Sequence, residues 1–166
     1  PTITGTLVIC AGSTTQLTGS ATAATTNAWV SSNTSVATVN TSGLVTGVST
    51  GTTTITYINS NGCQITASVT INALPIITGI LNVCVGSTRQ LTGSATAATS
   101  NAWTSSNTTI ATVNTSGLVT GISAGTATIT YINSNGCQIS TSITINDLPV
   151  VANQAATICS DSASGV

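Results

Sequence analysis

In the stretch CQITASVTI, Cys63, Ile65, Ala67, Val69 and Ile71 alternate with Gln64, Thr66, Ser68 and Thr70. A period of two over this length predicts a strand with one buried face. The preceding run TTTITYI places Ile55 and Tyr57 on the same inner face. Between the two runs, Asn61-Gly62 marks a tight bend, so the pair predicts a β-hairpin with Cys63 just past its tip. ATVNTSGLVTG reads as two short strands around a turn, with Gly43 supplying the positive φ that a tight turn needs. TITGTLVI and TQLTGSA supply the first two strands. Trp29, alone of its kind in this half of the chain, is expected to fill the core with Tyr57. About seven short strands joined by Gly and Asn turns predict an all-β sandwich.

The whole pattern then recurs. Aligning residues 1–74 with 75–148 needs no gap, and 57 of 74 positions are identical. YINSNGCQI reappears letter for letter at 131–139, and Trp103 and Tyr131 repeat the two core aromatics. Residues 149–166 open a third, incomplete copy with its own cysteine, Cys159. Two modules, 1–74 and 75–148, and the first strand of another are therefore expected. The exchanges Ile9/Val83, Val36/Ile110, Val48/Ile122 and Val69/Ile143 keep β-branched apolar character, as packed positions tolerate best. Val30/Thr104 and Thr15/Arg89 read as surface changes.

Composition narrows the chemistry. Of 166 residues, 37 are Thr and 22 Ser, and there is no Lys, His, Met or Phe. Arg89 is the one basic residue, and Asp147 and Asp161 are the two acidic ones. One cation cannot neutralise a phosphate backbone, so nucleic acid is excluded as a partner. Thr, Ser, Gly and Asn interrupt every apolar run, so no segment reads as a membrane span. Without His or paired carboxylates, no nucleophilic triad, cysteine–histidine pair or two-carboxylate site can be assembled, and the chain is expected not to be an enzyme. The cysteines lack CxxC spacing and histidine neighbours, and Asp147 alone is a poor calcium ligand set, so neither metal nor cofactor is expected. Five cysteines on a low-charge, Thr-rich chain point to an oxidising, extracellular setting. The chain has no initiator Met or signal peptide and is expected to be an internal piece of something longer. Four Asn-x-Ser/Thr sequons, at Asn33, Asn40, Asn107 and Asn114, follow from the abundance of Thr and Ser.

The run WVSSNTSVATVNTSGLVTGVSTGTTTIT, residues 29–56, closely resembles the group 2 bacterial immunoglobulin-like domain, and residues 103–130 repeat it. The pattern is a Trp, Ser-Ser-Asn, Val-Ala-Thr-Val, Gly-Leu-Val-Thr-Gly, and a Gly before a Thr-rich strand. The resemblance covers 1–148 and implies tandem immunoglobulin-like, Greek-key sandwiches arranged end to end on a bacterial cell surface. Cys10-Ala11-Gly12 and the Asn-Gly-Cys at Cys63 look like variants found in large repetitive surface proteins of Bacteroidota. Asp161-Ser162-Ala163 resembles the short O-glycosylation motif of that group and makes Ser162 a candidate site. The family implies a spacer or adhesive module and offers no catalytic residue to carry over.

That topology also bears on the cysteines. In such a sandwich the first and last strands run parallel, so Cys10 at the end of one and Cys63 at the start of the other lie near opposite poles, roughly 27–30 Å apart. A disulfide needs Cα atoms about 4.4–6.8 Å apart. The favoured pair is therefore Cys10 with Cys137 across the junction, with Cys63, Cys84 and Cys159 reaching partners outside the fragment. A shifted strand register would instead leave the within-copy pairs, Cys10–Cys63 and Cys84–Cys137. The function expected is a stalk, whose partners are neighbouring modules of the same chain. The alternatives are a carbohydrate- or protein-binding module, which would want its aromatics exposed, and a self-assembling fibre, which a nearly uncharged surface would not oppose.

Overall fold

The computed structural model describes residues 1–149. Cys159, Ser162 and nearly all of the expected third module lie outside the described residues. The first module comprises β1 (Ile3–Thr4), β2 (Val8–Cys10), β3 (Thr14–Gln16), β4 (Thr18–Gly19), β5 (Trp29–Ser31), β6 (Ala37–Val39), β7 (Leu44–Gly47), β8 (Gly51–Ile58) and β9 (Gln64–Asn72). The second repeats it as β10 (Ile77–Thr78), β11 (Asn82–Cys84), β12 (Thr88–Gln90), β13 (Thr92–Gly93), β14 (Trp103–Ser105), β15 (Ala111–Val113), β16 (Leu118–Gly121), β17 (Gly125–Ile132) and β18 (Gln138–Asn146).

Each module is a two-layer sandwich. One layer has the order β2-β9-β8-β5, and the other has β3-β7-β6, with β1 paired to β4 at its edge. All pairings are antiparallel except β2 with β9, where Cys10 stands opposite Asn72. This is the immunoglobulin-like arrangement. The strand count exceeds the expected seven because two strands are broken. The first strand starts against β4 and, after Gly5–Leu7, crosses to the opposite layer as β2. The second is interrupted at Leu17, whose fully buried side chain anchors the break. There the Leu17 N–H donates to the Gly43 carbonyl at 2.9 Å, and the Gln16 side-chain amide donates to the Leu17 carbonyl at 2.8 Å.

The β8–β9 hairpin gives each module its main wall. Its register sets Tyr57 opposite Ile65, Ile55 opposite Ala67 and Thr53 opposite Val69, all facing inward. Thr52, Thr54 and Thr56 meet Thr70, Ser68 and Thr66 on the outer face. Burial of Leu17, Trp29, Ala37, Val45, Ile55, Tyr57, Val69 and Ile71 closes the first core. A separate cluster built from the equivalent residues closes the second, and the two share no residue. A module of this size buries only about 60% of its unfolded surface, so each core alone confers modest stability.

Two readings of the pattern need correction. Val48 and Ile122 do not face the core and are 52% and 47% exposed. Their N–H groups donate to the Val36 and Ile110 carbonyls, which pins the backbone past β7 and β16 while the side chains point outward. The conservative Val/Ile exchange there reflects turn backbone, not packing. Cys63, placed on the inner face by alternation, is exposed: β9 begins at Gln64, so Cys63 sits in the hairpin turn and not on the core face of the strand.

Candidate functional site at the module junction

The cysteines are held by backbone that the sequence dictates locally. At the hairpin tip, Asn133 is buried and its Oδ1 accepts from the N–H groups of Asn135 at 3.1 Å and Cys137 at 3.0 Å. The Asn133 N–H donates to the Cys137 carbonyl at 2.9 Å, closing the turn. An Asn side chain that bonds its own backbone two residues on is the usual device for such a bend. The same geometry holds Cys63 on Asn59, at 3.1 and 3.0 Å. Cys10 ends β2 at a turn in which the Ser13 N–H donates to the Cys10 carbonyl at 3.0 Å and the Gly12 N–H donates to the Gly47 carbonyl at 2.9 Å. Beside it, the Ala11 N–H donates to the Asn72 carbonyl, the last residue of β9 before the linker.

Cys10 and Cys137 are disulfide-bonded, with Cα atoms 5.6 Å apart and a separation of 127 positions in sequence. The bond joins the first-strand end of module one to the hairpin tip of module two. It also buries Cys137 to 1% exposure. Cys63 and Cys84 are exposed and unpaired among the described residues, so neither within-copy pair is present. The register explains why. Cys10 lies level with Asn72, and Cys63 precedes Asn72 by nine residues along an extended strand, roughly 30 Å.

The aromatic residues are placed inside. Trp29 and Trp103 are 9% and 8% exposed, and each packs on its tyrosine, with ring centroids 4.7 and 4.6 Å apart. Tyr57 donates its hydroxyl to the Ala21 carbonyl at 2.9 Å, and Tyr131 to Ala95 at 3.0 Å. Gly43, at φ +84°, lies under the Trp29 ring, where a Cβ would come within 2.9 Å of it. A shallow cleft of about 250 Å³ opens beside each pair, edged by Gln16, Thr18, Thr41 and Ser42 in the first module. At that edge the Gln16 amide also donates to the Ser42 carbonyl at 2.7 Å. Asp147 is exposed, and no three of His, Cys, Asp and Glu converge among the described residues.

The fold and junction thus define a tandem of immunoglobulin-like sandwiches. Residues 2–71 and 77–145 match the model of the bacterial Ig-like domain (group 2), and the chain belongs to that family. It is 33% identical over 133 residues to Ice-binding protein 1 of Shewanella frigidimarina (strain NCIMB 400), an alignment covering 72% of this chain and 15% of that protein. Among solved structures it resembles the C-terminal 282-residue fragment of intimin in complex with the intimin-binding domain of its translocated receptor. The TM-score is 0.53 at 16% identity, covering 88% of this chain and 64% of that one. Invasin, a bacterial integrin-binding protein, gives the same TM-score and identity over 87% of this chain and 38% of its own. The chain therefore spans a minor share of the curated relative and less than two thirds of either structure.

Proposed function

We propose that these modules are a stalk segment of an extracellular or cell-surface bacterial protein, non-catalytic, carrying a binding tip away from its anchor. The observation that carries this reading is the Cys10–Cys137 bond between modules with separate cores. A linker as short as residues 73–76 already limits swing. One linker is a hinge. A second covalent link at a different point of the same interface removes bending about that hinge, and stiffness is what a spacer requires. The composition supports the non-catalytic part, since the residues of acid–base and nucleophilic chemistry are nearly absent from the chain. The binding-module alternative would need an aromatic platform, and Trp29, Trp103, Tyr57 and Tyr131 are all buried. Protein binding of the kinds named for intimin and invasin would on this reading belong to other domains of the full protein.

Small-angle scattering of the 166-residue chain with and without reductant tests the idea. The oxidised chain is expected to give one narrow distribution of intermodule distances, which broadens on reduction. Identical profiles in both states would mean that the bond does not govern the joint, and the stalk reading would lose its support.

A further inference from the structure

The bonded pair at the one junction seen here has an unbonded counterpart at each outer pole. Cys84 occupies in module two the place of Cys10 in module one, and Cys63 occupies the place of Cys137. The match extends to the backbone. Cys84 stands opposite Asn146 as Cys10 stands opposite Asn72. The Val85 N–H donates to the Asn146 carbonyl at 2.9 Å, the Gly86 N–H to Gly121 at 2.9 Å and the Ser87 N–H to Cys84 at 3.0 Å, reproducing the frame of Cys10. The linker also recurs, with Asn146-Asp147-Leu148-Pro149 standing where Asn72-Ala73-Leu74-Pro75 stood. Cys63 and Cys137 share one turn geometry, yet the first is exposed and the second is 1% exposed. The difference is the neighbouring module, not the hairpin.

We propose that Cys84 and Cys63 are the two halves of the same cross-junction staple: Cys84 bonds the hairpin-tip cysteine of a following module of this class, and Cys63 the first-strand cysteine of a preceding one. This deepens the stalk reading and rests on it. Each junction then carries one disulfide, and no module carries a bond within itself. Each bond forms by exchange with an oxidised low-molecular-weight disulfide. The Cys84 thiolate attacks that disulfide and expels one thiol. The hairpin thiolate then attacks the Cys84 sulfur and expels the second thiol, so the two electrons and two protons lost by the pair end on the oxidant. Proximity across a short linker makes the second step intramolecular and selects this partner over any other thiol in solution.

The test is a three-module chain in which residues 1–148 are followed by a second copy of residues 75–148, refolded in a glutathione buffer. Free thiols are alkylated under denaturing, non-reducing conditions, and the bonded peptides are mapped. The expected map links Cys10 to Cys137 and Cys84 to the hairpin cysteine of the added module, leaving Cys63 and the added copy of Cys84 alkylated. Replacing Cys84 (Cys84→Ser) should free the added hairpin cysteine and leave the Cys10–Cys137 peptide intact. Cys84 found alkylated in the folded three-module chain, or bonded to Cys63, overturns the inference while the stalk reading stands. Absence of the Cys10–Cys137 peptide removes the stalk reading itself. Tryptophan fluorescence of the buried Trp29 and Trp103 reports whether each chain has folded, so a misfolded product is recognised before mapping.

Discussion

Thr53 and Ala127 hold the same position in the two modules, and both are buried. The Thr53 hydroxyl lies 3.2 Å from Ser31 Oγ and 3.1 Å from Ser32 Oγ, and accepts from the Asn33 N–H at 3.0 Å. In module two the methyl of Ala127 leaves the Asn107 N–H on Ser105 Oγ at 3.3 Å. The Asn33 N–H has the same fallback on Ser31 Oγ at 3.3 Å. Thr53→Ala is therefore expected to cost no more than about 1 kcal/mol, the net value of an ordinary hydrogen bond. Denaturant unfolding measures it, and a loss above about 3 kcal/mol would mean that a buried group is left orphaned. Trp29 has no such reserve. Its ring roofs Gly43 and packs on Tyr57, so Trp29→Ala should destabilise its own module by about 3–5 kcal/mol. A loss below about 1 kcal/mol, the size of a surface effect, would show that Trp29 is not a core residue and revive the binding-module reading.

At the scale of the element, what could be read in advance was set by how local each cause is. Alternation from Ile65 to Ile71 is sufficient for β9, and Asn61-Gly62 for its turn, since both depend on neighbours in sequence. The crossing of β2 to lie parallel to β9 depends on pairing across some sixty residues and leaves no local mark. Thr53 was equally illegible, because the hydroxyls that satisfy it belong to Ser31 and Ser32, over twenty residues away. Conservative exchange misled at Val48, where the turn, not the core, sets the constraint. For the cysteines, spacing alone left two pairings open, and the fact that separates them is the register of Cys10 with Asn72. Arg89 shows what register adds. It lies within β12, opposite Val119 on β16, with an exposed side chain. Trypsin can cut this chain only after Arg89, and binding that bond requires the strand to leave its ladder. The native chain is therefore expected to resist trypsin and to yield two fragments only when module two unfolds locally. Rapid cleavage under native conditions would contradict an ordered β12.

For the whole molecule, the disulfide and the cores make separable contributions. Because the two hydrophobic clusters share no residue, breaking Cys10–Cys137 removes no core contact. What it removes is a restraint on the unfolded chain. Closing a loop of this length corresponds to about 4–5 kcal/mol in the chain-entropy account, and measured disulfides contribute about 2–4 kcal/mol. The restraint acts on both modules, since an unfolded module one stays tied at Cys10 to the folded hairpin of module two, and the reverse holds at Cys137. Reduction, or Cys10→Ser with Cys137→Ser, is expected to lower the denaturation midpoints of both modules while their tryptophan signals in buffer stay native. Cys63→Ser with Cys84→Ser in the same chain should leave those midpoints unmoved, because neither residue is bonded among the described residues. Denaturant titrations followed by tryptophan fluorescence, with and without reductant, read both effects. Loss of native fluorescence on reduction alone would show that the cores are not independent. Unchanged midpoints would show that the junction bond does not restrain the chain. The predicted result lies between these two, and it is the condition under which a stalk can be stiffened by oxidation without depending on it to fold.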